Sequence, residues 1–108
     1  MKEIEGGSVT SPQGFQAAGI IAGIKPSGNK DLALIVSDQP ATGAAVYTTN
    51  RVQGAPIPVC RQHLADGHAR AVVINSGIAN VCNGEMGLAD ARRMCAAVAG
   101  QLNLQAED

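Results

Sequence analysis

The sequence predicts an α+β fold, a largely antiparallel sheet with a carboxyl-terminal amphipathic helix packed on one face. Three observations predict it. Short apolar runs alternate with turn residues through the first half of the chain, the β-branched run Ala71-Val72-Val73-Ile74 follows, and beyond it apolar residues recur at steps of three and four. Strands early and a helix last is the order of a helix layered on a sheet, not of alternating β-α-β units.

Residues 1–14 carry Gly6, Gly7, Ser8, Ser11, Pro12 and Gly14 with no sustained apolar period, which reads as an extended arm. From Phe15 to Ile24 apolar residues crowd together with Gly19 and Gly23 among them. Two glycines weaken a helix, so a strand packed close to other backbone is expected. Lys25-Pro26-Ser27-Gly28-Asn29 joins a fixed dihedral, a permissive glycine and local side-chain acceptors, the chemistry of a reversal. Leu32 to Val36 is then a continuous apolar run, a second strand buried on both faces and paired with the first as a hairpin. Asp38-Gln39-Pro40 is expected to turn the chain again, and the β-branched and aromatic content of Ala44 to Thr49 suits a third strand.

Pro56 and Pro58 cannot donate to a ladder, so Ala55 to Val59 is expected to be at most an edge strand or extended link. A short helix over Cys60 to Ala65 should end near Gly67, and Ala71 to Ile74 should be a central strand. Leu88, Ala91, Met94, Cys95, Val98 and Leu102 then share one helical face, with Asp90, Arg92, Arg93 and Gln101 mainly between them. No repeat or linker divides residues 1–108, which read as a single unit.

Of 108 residues 45% are hydrophobic but only 2% aromatic, so Ala, Val, Ile and Leu must fill the core. A compact chain of 11.0 kDa would expose roughly 5,600 Å². A net charge of -1 with so few rings excludes the basic surface and stacking platform that nucleic acid needs. The apolar run Ala17 to Ile24 is far short of the roughly 20 residues of a membrane crossing, and an amino terminus with Glu3 and Glu5 is no secretory signal. Cytoplasm is the default location. Cys60, Cys82 and Cys95, in a chain without an export signal, are expected as reduced thiols.

Chemistry has one candidate home, the stretch from Asn75 to Met86 between the last strand and the last helix. Most strand-to-helix loops are about 2 to 6 residues, so its length calls for a reason. Asn75, Asn80 and Asn83 offer donors and acceptors, and Gly77 and Gly84 permit close backbone approach, which suits a small polar ligand. The competing reading is that the asparagines satisfy backbone groups and tolerate left-handed turns. Cys82 stands near a helix start that would favour a thiolate, but His63 and His68 lie in another segment and supply no base. Cys60, His63, His68 and Cys82 lack the close paired spacing of a zinc site, so no metal is expected. Asp31 and Asp38 bracket a strand about 20 Å long, too far apart to share acid-base work.

Several stretches together resemble the amino-terminal part of the bifunctional ornithine acetyltransferase and N-acetylglutamate synthase family of arginine biosynthesis. Phe15-Gln16-Ala17-Ala18-Gly19, then Ala22-Gly23-Ile24-Lys25 and Lys30 to Ile35, resemble its opening strands. Tyr47-Thr48-Thr49-Asn50-Arg51-Val52, with Ala55-Pro56 and Arg61-Gln62-His63-Leu64, is similar to its next block. Most specific is Ala71-Val72-Val73-Ile74-Asn75-Ser76-Gly77, continuing through Ala79-Asn80, Cys82 to Glu85, and Gly87 to Ala91. Two departures fall in the loop, Ile78 where asparagine is common and Asn83 where threonine is common.

The resemblance implies the front portion of the α chain of a layered α/β acetyltransferase. It implies ping-pong transfer of acetyl from N-acetylornithine to glutamate through a threonine acyl-enzyme, with no bound cofactor and acetyl-coenzyme A as a possible substrate. It further implies self-cleavage before that threonine and an α2β2 heterotetramer whose other parts are the remainder of the α chain and the β chain. Neither the reacting threonine nor the family's Thr-Gly oxyanion pair falls within residues 1–108, and Thr10, Thr42, Thr48 and Thr49 lie outside the cleavage context. The segment is therefore expected to be mainly scaffold and inactive alone, with Asn75, Ser76, Gly77, Asn80, Cys82 and Gly84 as a substrate-binding or active-site loop. The alternative is a free-standing, non-catalytic small-molecule binding or assembly module of the same fold.

Overall fold

A computed structural model describes residues 3–108. Strand β1, Phe15–Ile20, and strand β2, Leu32–Thr42, pair antiparallel with Phe15 opposite Ser37 and Ile20 opposite Leu32. The hairpin expected from spacing is there, but its first strand stops at Ile20. The next residues fold back instead around Asp31, a buried carboxylate that accepts hydrogen bonds from the backbone N–H groups of Ala22 (2.6 Å), Ile24 (2.6 Å) and Lys25 (2.9 Å). The arm expected over residues 1–14 is exposed with turns from Glu3 onward, and its first two residues lie outside the described residues.

Strand β3, His68–Asn75, pairs antiparallel with the other side of β2, setting Val73 opposite Leu34 and Asn75 opposite Leu32. The sheet order is β1-β2-β3, so β2 is central and β3, expected in the middle, is an edge among the described strands. Part of that edge is used, because Arg70 N and Ala71 N donate to the Asp108 carbonyl at 2.6 and 3.1 Å.

Asp38 to Pro40 does not reverse the chain as expected. β2 runs on to Thr42 with its register broken between Val36 and Ala41, a bulge where a proline need not donate. Arg70 braces it by donating through Nε and Nη2 to the Ser37 carbonyl and through Nη2 to that of Asp38. Ala44 to Thr49, expected as a strand, is irregular. Gly43 N donates to Gly67 O and the chain leaves the sheet, so these β-branched residues have no pleated neighbour to pack against. Tyr47 instead lies under the Arg61 guanidinium, 5.0 Å from the ring centre.

Helix α1, Pro56–His63, replaces the expected extended link. Both prolines fall in its first turn, where N–H groups have no intrahelical acceptor and nothing is lost by their absence. Leu64–Asp66 adds a 3₁₀ turn, closed by Gly67 at φ 76°. Helix α2, Gly84–Leu102, starts slightly ahead of its apolar period and ends on Asn103 in the left-handed region.

α2 packs on α1 and β3, the helix layer the sequence predicted. Side chains alternate along β3, so Ala71, Val73 and Asn75 turn to the helices while Val72 and Ile74 turn away and stay 52% and 46% exposed. Val59, Ala91 and Ala99 are the buried hydrophobic residues. The molecule exposes 7997 Å², well above the roughly 5,600 Å² expected of a compact body of this mass.

Candidate functional site

β3 carries Asn75 to the end of the sheet and α2 begins at Gly84, leaving Ser76 to Asn83 as the loop between them. Its first residues are fastened to the β1–β2 connection. Ser76 N donates to Asp31 O at 2.8 Å, and Gly77, at φ 99°, lies so close to Lys25 that a Cβ would stand 2.6 Å from Lys25 Cγ. Only glycine fits there, for both its dihedral and its contact.

The far end is held by Asn80. Its carbonyl accepts from Ala55 N (2.8 Å), its Nδ2 donates to Gly87 O (2.7 Å), and its Oδ1 accepts from Asn83 Nδ2 (3.0 Å). Beside it Val81 bridges to Gly54. Gly87 is buried against this knot, and a Cβ there would collide with Asn80 Oδ1. The amides of Asn80 and Asn83 are thus occupied with each other and with α2. Asn75 differs: among the described residues its side chain has no hydrogen-bond partner.

Asn75 opens on a cleft of about 240 Å³ between the end of β3 and the two helices. Asn80 and Asn83 line the same cleft, with Val59 and Cys60 from α1 and Ala91, Met94 and Cys95 from α2. Apart from Asp90 of α2, which pairs with Arg93, the walls are apolar and the amides are concentrated at the loop, an arrangement that can orient a small ligand through amide hydrogen bonds. Of the six residues singled out by sequence, Asn75 and Asn80 line the cleft, while Ser76, Gly77 and Cys82 lie along the loop and Gly84 opens α2, all outside its lining.

Cys82 is exposed and adopts φ 59°, a left-handed conformation uncommon for a residue with a side chain. His68 is engaged with Asp66 through its N–H (3.0 Å) and Nδ1 (3.0 Å), and no imidazole is hydrogen-bonded to Cys82. Among the described residues no group of three or more His, Cys, Asp or Glu side chains could hold a metal ion, and no helix is long and apolar enough to cross a membrane.

Residues 16–108 match the ArgJ family. The chain belongs to that family. It is 50% identical over 107 residues to an arginine biosynthesis bifunctional protein ArgJ of Parasynechococcus marenigrum, covering 97% of this chain and 26% of that one. A Bacillus subtilis protein of the same name is 48% identical over 102 residues, again with 25% of its length covered. The crystal structure of a Bacillus halodurans ArgJ superposes with a TM-score of 0.93 at 47% identity, spanning 96% of this chain and 55% of that one. An ornithine acetyltransferase of Mycobacterium tuberculosis, solved with ornithine, superposes at 0.83 with 48% identity over 88% of this chain and 50% of its own. The chain spans about a quarter of the length of the curated relatives it matches.

With the family fixed, two positions that sequence reasoning passed over stand out. Asp31, too far along the strand from Asp38 to share acid-base work, instead secures the connection that supports Asn75 to Gly77. Backbone hydrogen bonding, first from Ala22 and then from Lys25 and Ile24, outweighs its desolvation and holds its carboxyl below the usual aspartate range. An aspartate placed between the Pro26 to Asn29 turn and an apolar run is the available signal. The tight approach of Gly87 to Asn80 has no signature in a single sequence.

Proposed function

We propose that this chain is the front portion of a glutamate N-acetyltransferase of arginine biosynthesis, the framework half of an acyl-transfer site whose reacting group lies outside residues 1–108. In this reading a threonine hydroxyl from the remainder of the protein attacks the acetyl carbonyl of N-acetylornithine. A pair of donors stabilises the tetrahedral oxyanion, ornithine leaves, and the amine of glutamate takes the acetyl group from the threonine ester. Acetyl-coenzyme A is a second possible donor, and no bound cofactor takes part. The remainder of the α chain and the β chain, released by self-cleavage of one precursor and assembled as α2β2 in the cytoplasm, complete the site.

The observation that carries this reading is the open sheet. A body exposing 7997 Å² with Val72 and Ile74 half bare is built to be covered by further chain. Relatives about four times as long, named for arginine biosynthesis, supply the source of that chain. Within the segment we assign Asn75 to substrate contact, because its amide is unpartnered and faces the cleft. Asn80 holds the loop, Ser76 and Gly77 place backbone at the rim, and Cys82 and Gly84 shape the return into α2.

Trapping the acyl-enzyme with labelled N-acetylornithine in the assembled protein tests the reading. Peptide mass spectrometry should find the acetyl ester on a threonine outside residues 1–108. An ester on Thr10, Thr42, Thr48 or Thr49 would place the chemistry here instead. The competing reading, a free-standing binding module, draws on the fact that this chain forms the 240 Å³ cleft by itself. Calorimetry separates the two, since the module reading requires the chain alone to bind N-acetylornithine or glutamate.

A further inference from the structure

Cys60 on α1 and Cys95 on α2 are placed together by the fold. Both line the 240 Å³ cleft, and both also line a second cavity of about 350 Å³ that is bordered by Tyr47, Leu64 and Val98. Residues shared by two adjoining cavities form the wall between them. The shared wall consists of Val59, Cys60, Val73 and Cys95, so the two thiols sit in the seam where the helices meet. Helix axes about 8–10 Å apart, with Cα atoms about 2.3 Å from each axis, leave directly facing Cα atoms roughly 3.4–5.4 Å apart, which overlaps the roughly 4.4–6.8 Å range a disulfide needs. Small neighbours favour such an approach, and Ala91 and Ala99 are the buried residues of α2 on this side.

We propose that Cys60 and Cys95 are a redox-modification site that closes to an intramolecular disulfide by exchange with a small-molecule disulfide of the glutathione type. The two thiols have unequal roles. Cys60 is exposed and meets the oxidant first, whereas Cys95 is half-buried, and burial, with the nearby Cys60 adding to it, pushes its thiol above the ordinary range. The Cys60 thiolate attacks one sulfur of oxidised glutathione, forming a mixed disulfide and expelling one glutathione thiolate. Cys95 then gives up its proton and attacks the Cys60 sulfur, expelling the second glutathione. Two protein thiols are oxidised and one glutathione disulfide is reduced to two thiols. The bond would staple α1 to α2 across the cleft that Asn75 and Asn80 line. Cys82 lines neither cavity and is a bystander. The proposal does not rest on the acetyl-transfer reading.

The test is to equilibrate the protein with graded ratios of reduced and oxidised glutathione, alkylate, and map the peptides by mass spectrometry. A Cys60–Cys95 peptide should exceed Cys60–Cys82 and Cys82–Cys95 peptides by at least about tenfold, with Cys82 still alkylated, and that preference should vanish in concentrated guanidinium chloride. Cys95→Ser should arrest the reaction at a Cys60–glutathione adduct, and Cys82→Ser, outside the seam, should leave the Cys60–Cys95 bond unchanged. Persistence of the mixed disulfide on Cys60 in the unsubstituted protein, or comparable yields of all three pairings under native conditions, would overturn the proposal.

Discussion

The two faces of the sheet differ in what covers them. Towards the helices, Val73 shares its surroundings with Val59 of α1 and Cys95 of α2, and the buried residues Val59, Ala91 and Ala99 all lie in the helix layer. On the opposite face Val72 and Ile74 alternate with the same strand's inward residues yet remain about half exposed. Among the described residues β1 packs chiefly on β2, and Ile20 stays 55% exposed. One apolar layer is covered from within the chain, and the other stays about half exposed.

Substitutions that place the same charge on each face should separate them most sharply. Val59→Asp buries an unpaired carboxylate and should cost about 3–5 kcal/mol, enough to abolish a cooperative urea transition in a small domain. Val72→Asp should move the midpoint by no more than about 0.5 kcal/mol while blocking association with the remainder of a family member. Equal losses would erase the distinction between the faces.

The two ends of the loop should differ in the same sense. Asn80→Ala removes the side-chain bonds to the Gly87 carbonyl and from the Asn83 amide and should cost about 1–2 kcal/mol in denaturant unfolding. Asn75→Ala should stay within about 0.5 kcal/mol, its effect falling on KM for N-acetylornithine in the assembled enzyme.

Asp31 sharpens the comparison through pH. Its folded carboxyl is held below its unfolded value, so its contribution is complete above about pH 4 and is lost as pH falls through the depressed value. Asp31→Asn should lower Tm at neutral pH and flatten the acid limb of the Tm profile. An unchanged acid limb would remove Asp31 as the anchor of the loop. One change is expected to be a gain: Cys82→Gly relieves a left-handed side-chain residue and should raise stability by about 1 kcal/mol.

How far the sequence could be read follows from where each signal resides. The hairpin and α2 were legible because their cues are local, a turn between apolar runs and a 3.6-residue period. α1 was legible from Cys60 to the stop at Gly67 but not over Pro56 to Val59, because prolines that break a ladder are harmless in the first turn of a helix, and nothing local distinguishes the two settings. Ala44 to Thr49 failed in the other direction, since β-branched residues make a strand only where a neighbouring strand accepts them. The site was half legible. Asn75 and Asn80 drew notice by type, but their division of labour depends on Gly87 and Ala55 arriving from other elements.

The central claim is that these residues supply framework and the reacting hydroxyl comes from elsewhere. The most direct measurement is acetyl transfer from N-acetylornithine to glutamate, assayed with this chain alone and again after co-expression with the remainder of a family member. The account predicts no turnover above background for the chain alone and transfer once the remainder is present; sustained turnover by the chain alone would contradict it.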